Sequence, residues 1–258
     1  MPEGHIVHRL ARELAADLGG RRLSAASPQG RFAAEAERVD GTVLRRTEAY
    51  GKHLFVELSS GDRIHVHLGR LGKWLRSAEA GRALPQVRLR LASGGVAWDL
   101  IAPARCELVD AAAVAAVVDT LGPDPLRADA DADAAVAALA AAPGAIGAAL
   151  LDQSVVSGAG NVFRSEVLHA VGIAPNRPSR ALSAAEARAI WTTLHGMMAR
   201  AVEDGRIITV DAADRAAVPE DEARKVYKQT RCRDCGAPVV TGTVGGRTAY
   251  HCPREQPG

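Results

Sequence analysis

Apolar residues recur at helical spacing from the start of the chain. Ile6, Leu10, Leu14 and Leu18, with Val7 and Ala11 beside them, form one stripe that ends at Gly19-Gly20, which predicts an amphipathic helix stopped by a glycine pair. The period then shortens. Six stretches read as strands: 42–47, 53–58, 63–68, 87–91, 96–101 and 105–109. Ile64, Val66 and Leu68 alternate with Arg63, His65 and His67, and Val87, Leu89 and Leu91 alternate with Arg88 and Arg90. Ser59-Ser60-Gly61-Asp62 and Ser93-Gly94-Gly95 supply turn chemistry between neighbours. Closely spaced strands with tight turns predict an antiparallel sandwich or barrel.

From Leu121 the texture changes to Gly122-Pro123-Asp124-Pro125 and an Asp/Ala-rich stretch, which reads as a connection. Helical faces follow: Ile146, Leu150 and Leu151; then Phe163, Val167 and Ala170; then Ile190, Leu194, Met197, Met198 and Val202. The last is entered through Ser183 with Glu186 three residues on, a capping-box pattern. A short cysteine-bearing tail closes the chain. The fold class is therefore α+β: an N-terminal helix with an antiparallel β-sandwich over residues 1–115, a linker over 116–135, a helical domain over 136–225 and a β-hairpin tail over 226–258.

With 258 residues, 47% of them hydrophobic, the chain is long enough for two cores. Aromatics make up 3%, so any base-stacking role falls to a few side chains such as Phe32, Trp74, Phe163 and Tyr250. No apolar run is long enough to span a membrane, and no charged-then-apolar leader opens the chain; a cytoplasmic protein is expected. The net charge of +2 names no partner by itself. Arg224, Lys225, Lys228, Arg231 and Arg233 nevertheless crowd the approach to a cysteine pair, which points to phosphate contact.

Three features carry candidate chemistry. The chain opens Met1-Pro2-Glu3-Gly4, and removal of the methionine would leave Pro2 with a free secondary amine, a nucleophile that forms an iminium with a sugar or carbonyl carbon. Its place at a helix N-terminus disfavours the cationic amine and so favours the neutral, attacking form; the same field favours an ionised Glu3. Cys232-x2-Cys235 is followed, after sixteen intervening residues, by Cys252, three of the four positions of a zinc ribbon. Glu255 stands in the fourth, and Glu255, His251 or water can complete the shell. Third, residues 150–166 read as helix, glycine turn, helix, with Gly158, Gly160 and Asn161 placed to offer amides to an anion such as a DNA phosphate.

These residues together resemble the bacterial formamidopyrimidine-DNA glycosylase and endonuclease VIII family over essentially the whole chain. Pro2-Glu3-Gly4 is similar to the endonuclease VIII start and residues 50–55 (Tyr-Gly-Lys-His-Leu-Phe) to its lysine loop. Residues 152–166 are similar to its helix-two-turn-helix, and 226–253, with Arg247 five residues before Cys252, to its zinc-finger hairpin. Residues 5–10 stand nearest an actinobacterial-type branch. The resemblance implies a monomeric, nucleoid-associated base-excision-repair enzyme. It would remove oxidised bases, pyrimidines favoured, from double- or single-stranded damaged DNA and then cut the backbone. Pro2 would attack C1′, Glu3 would assist proton transfer, and Lys52 would contact phosphate. Asn161 and Arg247 would grip the backbone around a flipped nucleotide in a cleft between domains, and one structural zinc would sit on Cys232, Cys235 and Cys252, with Glu255 standing in place of the family's fourth cysteine and the fourth ligand left open. Arg70 stands where relatives carry an apolar wedge, leaving Leu71 or the planar face of Arg70 to fill the vacated stack. The loop Pro103-Ala104-Arg105-Cys106 lacks an aromatic seen in some relatives. The competing expectation is a non-catalytic damaged-DNA or abasic-site binder of the same fold.

Overall fold

The computed structural model describes residues 2–78 and 81–257; Met1, whose removal is expected from the sequence, lies outside them. The chain divides into two compact units, 1–120 and 121–258.

In the first unit, α1 (Gly4–Leu18) buries Val7, Leu10, Ala11, Leu14 and Leu18, the stripe expected from its spacing. It is followed by β1 (Ser24–Ala26), α2 (Ala33–Val39), β2 (Leu44–Tyr50), β3 (His53–Leu58), β4 (Arg63–His67), β5 (Lys73–Ser77), β6 (Val87–Ser93), β7 (Val96–Ile101), β8 (Arg105–Val109) and α3 (Ala111–Val118). Two antiparallel four-stranded sheets result, ordered β1-β6-β7-β5 and β2-β3-β4-β8. Their inner faces share one core with α1, in which Leu44, Val56 and Ile64 meet Leu89, Leu91 and Leu100. Burial of these side chains is the main stabilising term.

The second unit holds α4 (Ala132–Ala141), α5 (Ile146–Ala149), α6 (Asn161–Ala170), α7 (Ala184–Asp204), β9 (Val240–Val244) and β10 (Arg247–His251). Its core joins Leu139, Ile146, Phe163, Leu168, Ile190 and Leu194. The capping box is present: Ser183 Oγ accepts from the Glu186 amide and the Glu186 carboxylate accepts from the Ser183 amide. Gly205, at φ 71°, closes α7 in the left-handed conformation that glycine adopts without steric cost.

Several expectations change. The stretch 116–135 is not linker throughout, since α3 ends and α4 begins within it. One of its aspartates caps α4, Asp131 accepting from the Asp133 and Ala134 amides. The strand read at 42–47 runs from Leu44 to Tyr50. Phe32, Trp74 and Phe163 are core residues, 1%, 7% and 0% exposed, and so are withdrawn from any stacking role.

Candidate active site and three-cysteine hairpin

Contacts along α1 orient the N-terminus. The Gly20 amide, just past the helix, donates to Leu44 O, and Thr47 Oγ1 donates to Ala11 O at 2.5 Å. The helix therefore runs back towards its start as β2 runs forward, which brings Pro2 and Glu3 to the end of the sheet where Gly51-Lys52 turns β2 into β3. Pro2 is half-buried and Glu3 is 1% exposed. Glu3 occupies the N-cap position with no side-chain capping bond. Pro2, the buried Glu3 carboxyl and the Lys52 turn are thus directed towards the same edge of the sandwich.

Beside Lys52, the outer face of β3 and β4 carries a row of imidazoles. His53 Nδ1 lies 2.8 Å from His65 Nε2, the His53 and His67 rings are 4.9 Å apart, and His67 Nδ1 accepts from the Gly69 amide. Burial, then the neighbouring histidines, Arg105 and Lys52, pushes His53 down to about 3. Burial, then Arg105 and His67, pushes His65 down to about 4. His67 moves the same way, through burial, Lys52 and Arg105. All three are thus disfavoured as cations, and the His53–His65 hydrogen bond needs an unprotonated nitrogen on the accepting ring. An open cavity of ≈ 540 Å³ adjoins the row, lined by His53, His67, Arg105 and Thr120 among others.

Next to it is a tight turn between β4 and β5. Arg70 is exposed and Leu71 is 81% exposed, the most exposed of the large apolar residues described. The turn packs on the Pro103–Arg105 loop so closely that a Cβ on Gly69 would come within 2.6 Å of Ala104 Cβ. Both sequence-marked loops therefore lie together, with Leu71 held out to solvent.

In the second unit the glycine turn is buried. The Gly158 amide donates to Gln153 Oε1 and the Ser157 amide to Pro123 O, so this turn does not present those amides to an anion. Asn161, 8% exposed, begins α6; its Nδ2 donates to Thr248 O at 3.0 Å and its Oδ1 is buried without a partner. Arg247 is exposed at the start of β10. Arg164, Glu166 and His169 are the residues that sequence reasoning missed: each is buried on α6 and each holds the C-terminal segment. No sequence signal marked them, because the burial of Asn161 through His169 arises only when the helix is packed.

The basic run 224–233 is largely neutralised within the unit. Arg224 pairs with Glu220, Lys225 with Asp211 and Asp234, and Arg233 with Glu222, while Arg231 donates to Gly236 O. Three of the run's five cations therefore already have carboxylate partners, with which the expected phosphate contact would have to compete.

Cys232, Cys235 and Cys252 bring their sulfurs within 4.8 Å of one another, and Cys235 and Cys252 are 3.4 Å apart. Zn–S bonds of ≈ 2.3 Å at tetrahedral angles set sulfurs about 3.8 Å apart, so the trio fits a zinc-type ion. An Ala237 amide favours the Cys235 thiolate, yet desolvation with the adjoining Cys252, Cys232 and Glu255 groups outweighs it and pushes that thiol up to about 12. For Cys252, desolvation is outweighed by amides of Glu255 and Arg254 and by the neighbouring thiols, and its pKa falls. Neither His251 nor Glu255 belongs to the three-sulfur group, although the Glu255 carboxyl adjoins Cys235. His169 Nε2 is 2.9 Å from Asp234 Oδ2 and 3.9 Å from Cys232 Sγ. Gln256 fixes the second knuckle by accepting from the Cys252 amide and donating to Ile173 O.

Solved structures share this architecture. A complex of the Lactococcus lactis formamidopyrimidine-DNA glycosylase with Fapy-dG-containing DNA superposes with a TM-score of 0.80 over 98% of this chain and 99% of that one, at 21% identity. The fold is thus that of a DNA glycosylase with a helix-two-turn-helix. Residues 1–100 match the formamidopyrimidine-DNA glycosylase N-terminal domain and residues 121–212 the formamidopyrimidine-DNA glycosylase H2TH domain. Endonuclease 8 1 of Mycobacterium tuberculosis is 40% identical over 98% of each chain. The formamidopyrimidine-DNA glycosylase of Nocardia farcinica is 31% identical over 95% of this chain and 84% of its own. The chain belongs to the formamidopyrimidine-DNA glycosylase and endonuclease VIII family.

Proposed function

We propose that the protein is a bifunctional DNA glycosylase and abasic-site lyase acting on oxidised bases in DNA, with pyrimidines favoured on the strength of its endonuclease VIII-like start and lysine loop. What supports this reading is the antiparallel course of α1 against β2, which directs the helix start with Pro2 and Glu3 towards the β2–β3 turn that carries Lys52. With Met1 removed, the Pro2 nitrogen forms a bond to C1′ as the C1′–base bond breaks and its electron pair leaves with the base. Glu3 moves the proton that opens the sugar ring, giving an iminium that draws electrons from C2′. Loss of a C2′ proton then expels the 3′ phosphate, and water releases Pro2. Lys52 pairs with a phosphate, Leu71 and Arg70 fill the vacated stack, and Arg247 and Asn161 belong to the backbone grip.

Borohydride reduces such an iminium to a stable amine. Incubation with an oxidised-pyrimidine or abasic duplex and reductant should yield a covalent adduct that Pro2→Gly abolishes. Absence of an adduct on every lesion tried would overturn the assignment, and tight binding without cleavage would favour the non-catalytic alternative.

Zinc is the ion this cysteine trio suits. Cys232, Cys235 and Cys252 would hold it with Glu255 as the oxygen donor, and its contribution would be to tie the two knuckles together. Elemental analysis should find about one zinc per chain, and Glu255→Cys, which restores a fourth thiolate, should tighten retention against a chelator. Zinc-free protein, or unchanged retention in the variant, would count against this ligand set.

A further inference from the structure

Asn161, Arg164, Glu166 and His169 are buried on the ten-residue helix α6, and all four reach the C-terminal segment. Glu166 accepts from the amides of Lys225, Val226 and Tyr227, the residues that lead into the first knuckle. His169 meets Asp234 within that knuckle at 2.9 Å. Arg164, 1% exposed, spans the hairpin: one guanidinium nitrogen donates to Val244 O at 2.8 Å and another to Thr248 O at 2.6 Å. Those carbonyls bracket the tip Gly245-Gly246-Arg247. Asn161 shares the Thr248 carbonyl.

A buried guanidinium persists only where acceptors meet it, and its planar fork fixes the spacing of whatever it grips. The tip has a second seat. A Cβ on Gly245 would come within 3.1 Å of Ala148, and one on Gly147 within 3.2 Å of Val244 Cγ1. The hairpin is thus pressed on α5 from one side and tied to α6 by Arg164, and neither contact involves a cysteine.

We propose that Arg164 is a positioning residue for Arg247, fixing the hairpin tip through its two carbonyl bonds so that Arg247 stays placed for DNA whether or not a metal occupies the cysteine site. This rests on the reading that Arg247 contacts a DNA phosphate. It places the burden of hairpin geometry on a helix side chain within the helix-two-turn-helix segment that had been given no role of its own, and it explains how the tail keeps its geometry with three cysteines.

The test is a double-mutant cycle on the full chain, reading affinity and its salt dependence for a duplex carrying a tetrahydrofuran abasic analogue. Arg164→Met and Arg247→Ala should each weaken binding by about 10-fold and lower the slope of log affinity against log salt by about one. The double variant should be no weaker than Arg247→Ala by more than about 2-fold, because both changes remove the same phosphate contact. Arg164→Lys keeps the charge but cannot bridge both carbonyls, so it should recover only part of the loss; it also serves if the Met variant does not fold. Amide exchange across 243–250 gives a readout free of DNA: it should rise in Arg164→Met with metal bound and change by less than about 3-fold when the wild type is chelated. Additive penalties, or chelation loosening the hairpin as fully as Arg164→Met, would overturn the proposal. Wild-type affinity in Arg247→Ala would instead overturn the role given to Arg247, leaving the exchange result to decide whether Arg164 fixes the tip.

Discussion

The imidazole row makes the sandwich sensitive to acid. In the unfolded chain each histidine takes up a proton near its ordinary value of about 6.5. In the folded chain burial holds His53 down to about 3 and His65 down to about 4, so below pH 6.5 the unfolded state binds more protons. A depressed folded value means stability present above the unfolded pKa and lost as pH falls towards the folded one. Unfolding by urea should therefore become progressively easier between pH 6.5 and about 4, and His53→Phe should reduce the slope of stability against pH at pH 5 by about one proton. Carboxylates titrate near the lower end of that window, so the variant's difference from wild type is the quantity to measure. Parallel curves would show that His53 does not carry the effect. The residue that makes this arrangement legible beforehand is Lys52: the loop carrying it stood out in the sequence, whereas the hydrogen-bonded pairing of His53 with His65 depends on strand register.

At the scale of elements, what could be read was whatever repeats. The α1 stripe, the β4 and β6 alternations and the α7 capping box each declare their period or their ends in a few residues. The missed elements had none: β1 spans three residues, α2 buries only Ala36 and Val39, and α3 buries nothing. In β5 only Trp74 points inward, so no alternation of apolar residues marks it. The site followed the same rule. Pro2, Lys52 and the cysteines were legible because their chemistry is rare at such positions, but Arg164 and Glu166 looked like ordinary charged positions on a helix, and only packing shows them buried. The capping box offers a measurable case. Ser183 Oγ caps the Glu186 amide at 3.2 Å, while Glu186 is also held by Arg177. Ser183→Ala should cost about 1 kcal/mol of stability in urea unfolding, the usual loss for a serine cap. A loss below about 0.3 kcal/mol would mean that Arg177 alone keeps Glu186 and the helix start in place.

For the molecule as a whole, the question is how many of its charges face DNA. A net charge of +2 gives little long-range attraction, so affinity has to come from local cations that displace counterions. The run 224–233 is the densest basic stretch in the sequence, but Arg224, Lys225 and Arg233 are committed to carboxylates of their own unit. Lys52 and Arg247 are the cations proposed to meet phosphates, Arg70 being proposed to fill the vacated stack. Two such contacts release about two counterions, giving a slope near −1.8 for log affinity against log salt and a loss of about twelve-fold between 50 and 200 mM. Equilibrium binding to an abasic-analogue duplex across that salt range tests the assignment. A slope near zero would mean that these cations do not meet phosphates. A slope steeper than about −5 would mean that the 224–233 run gives up its internal partners when DNA binds; Arg224→Gln and Arg233→Gln would then each lower it, whereas with the internal pairs kept neither variant should change it.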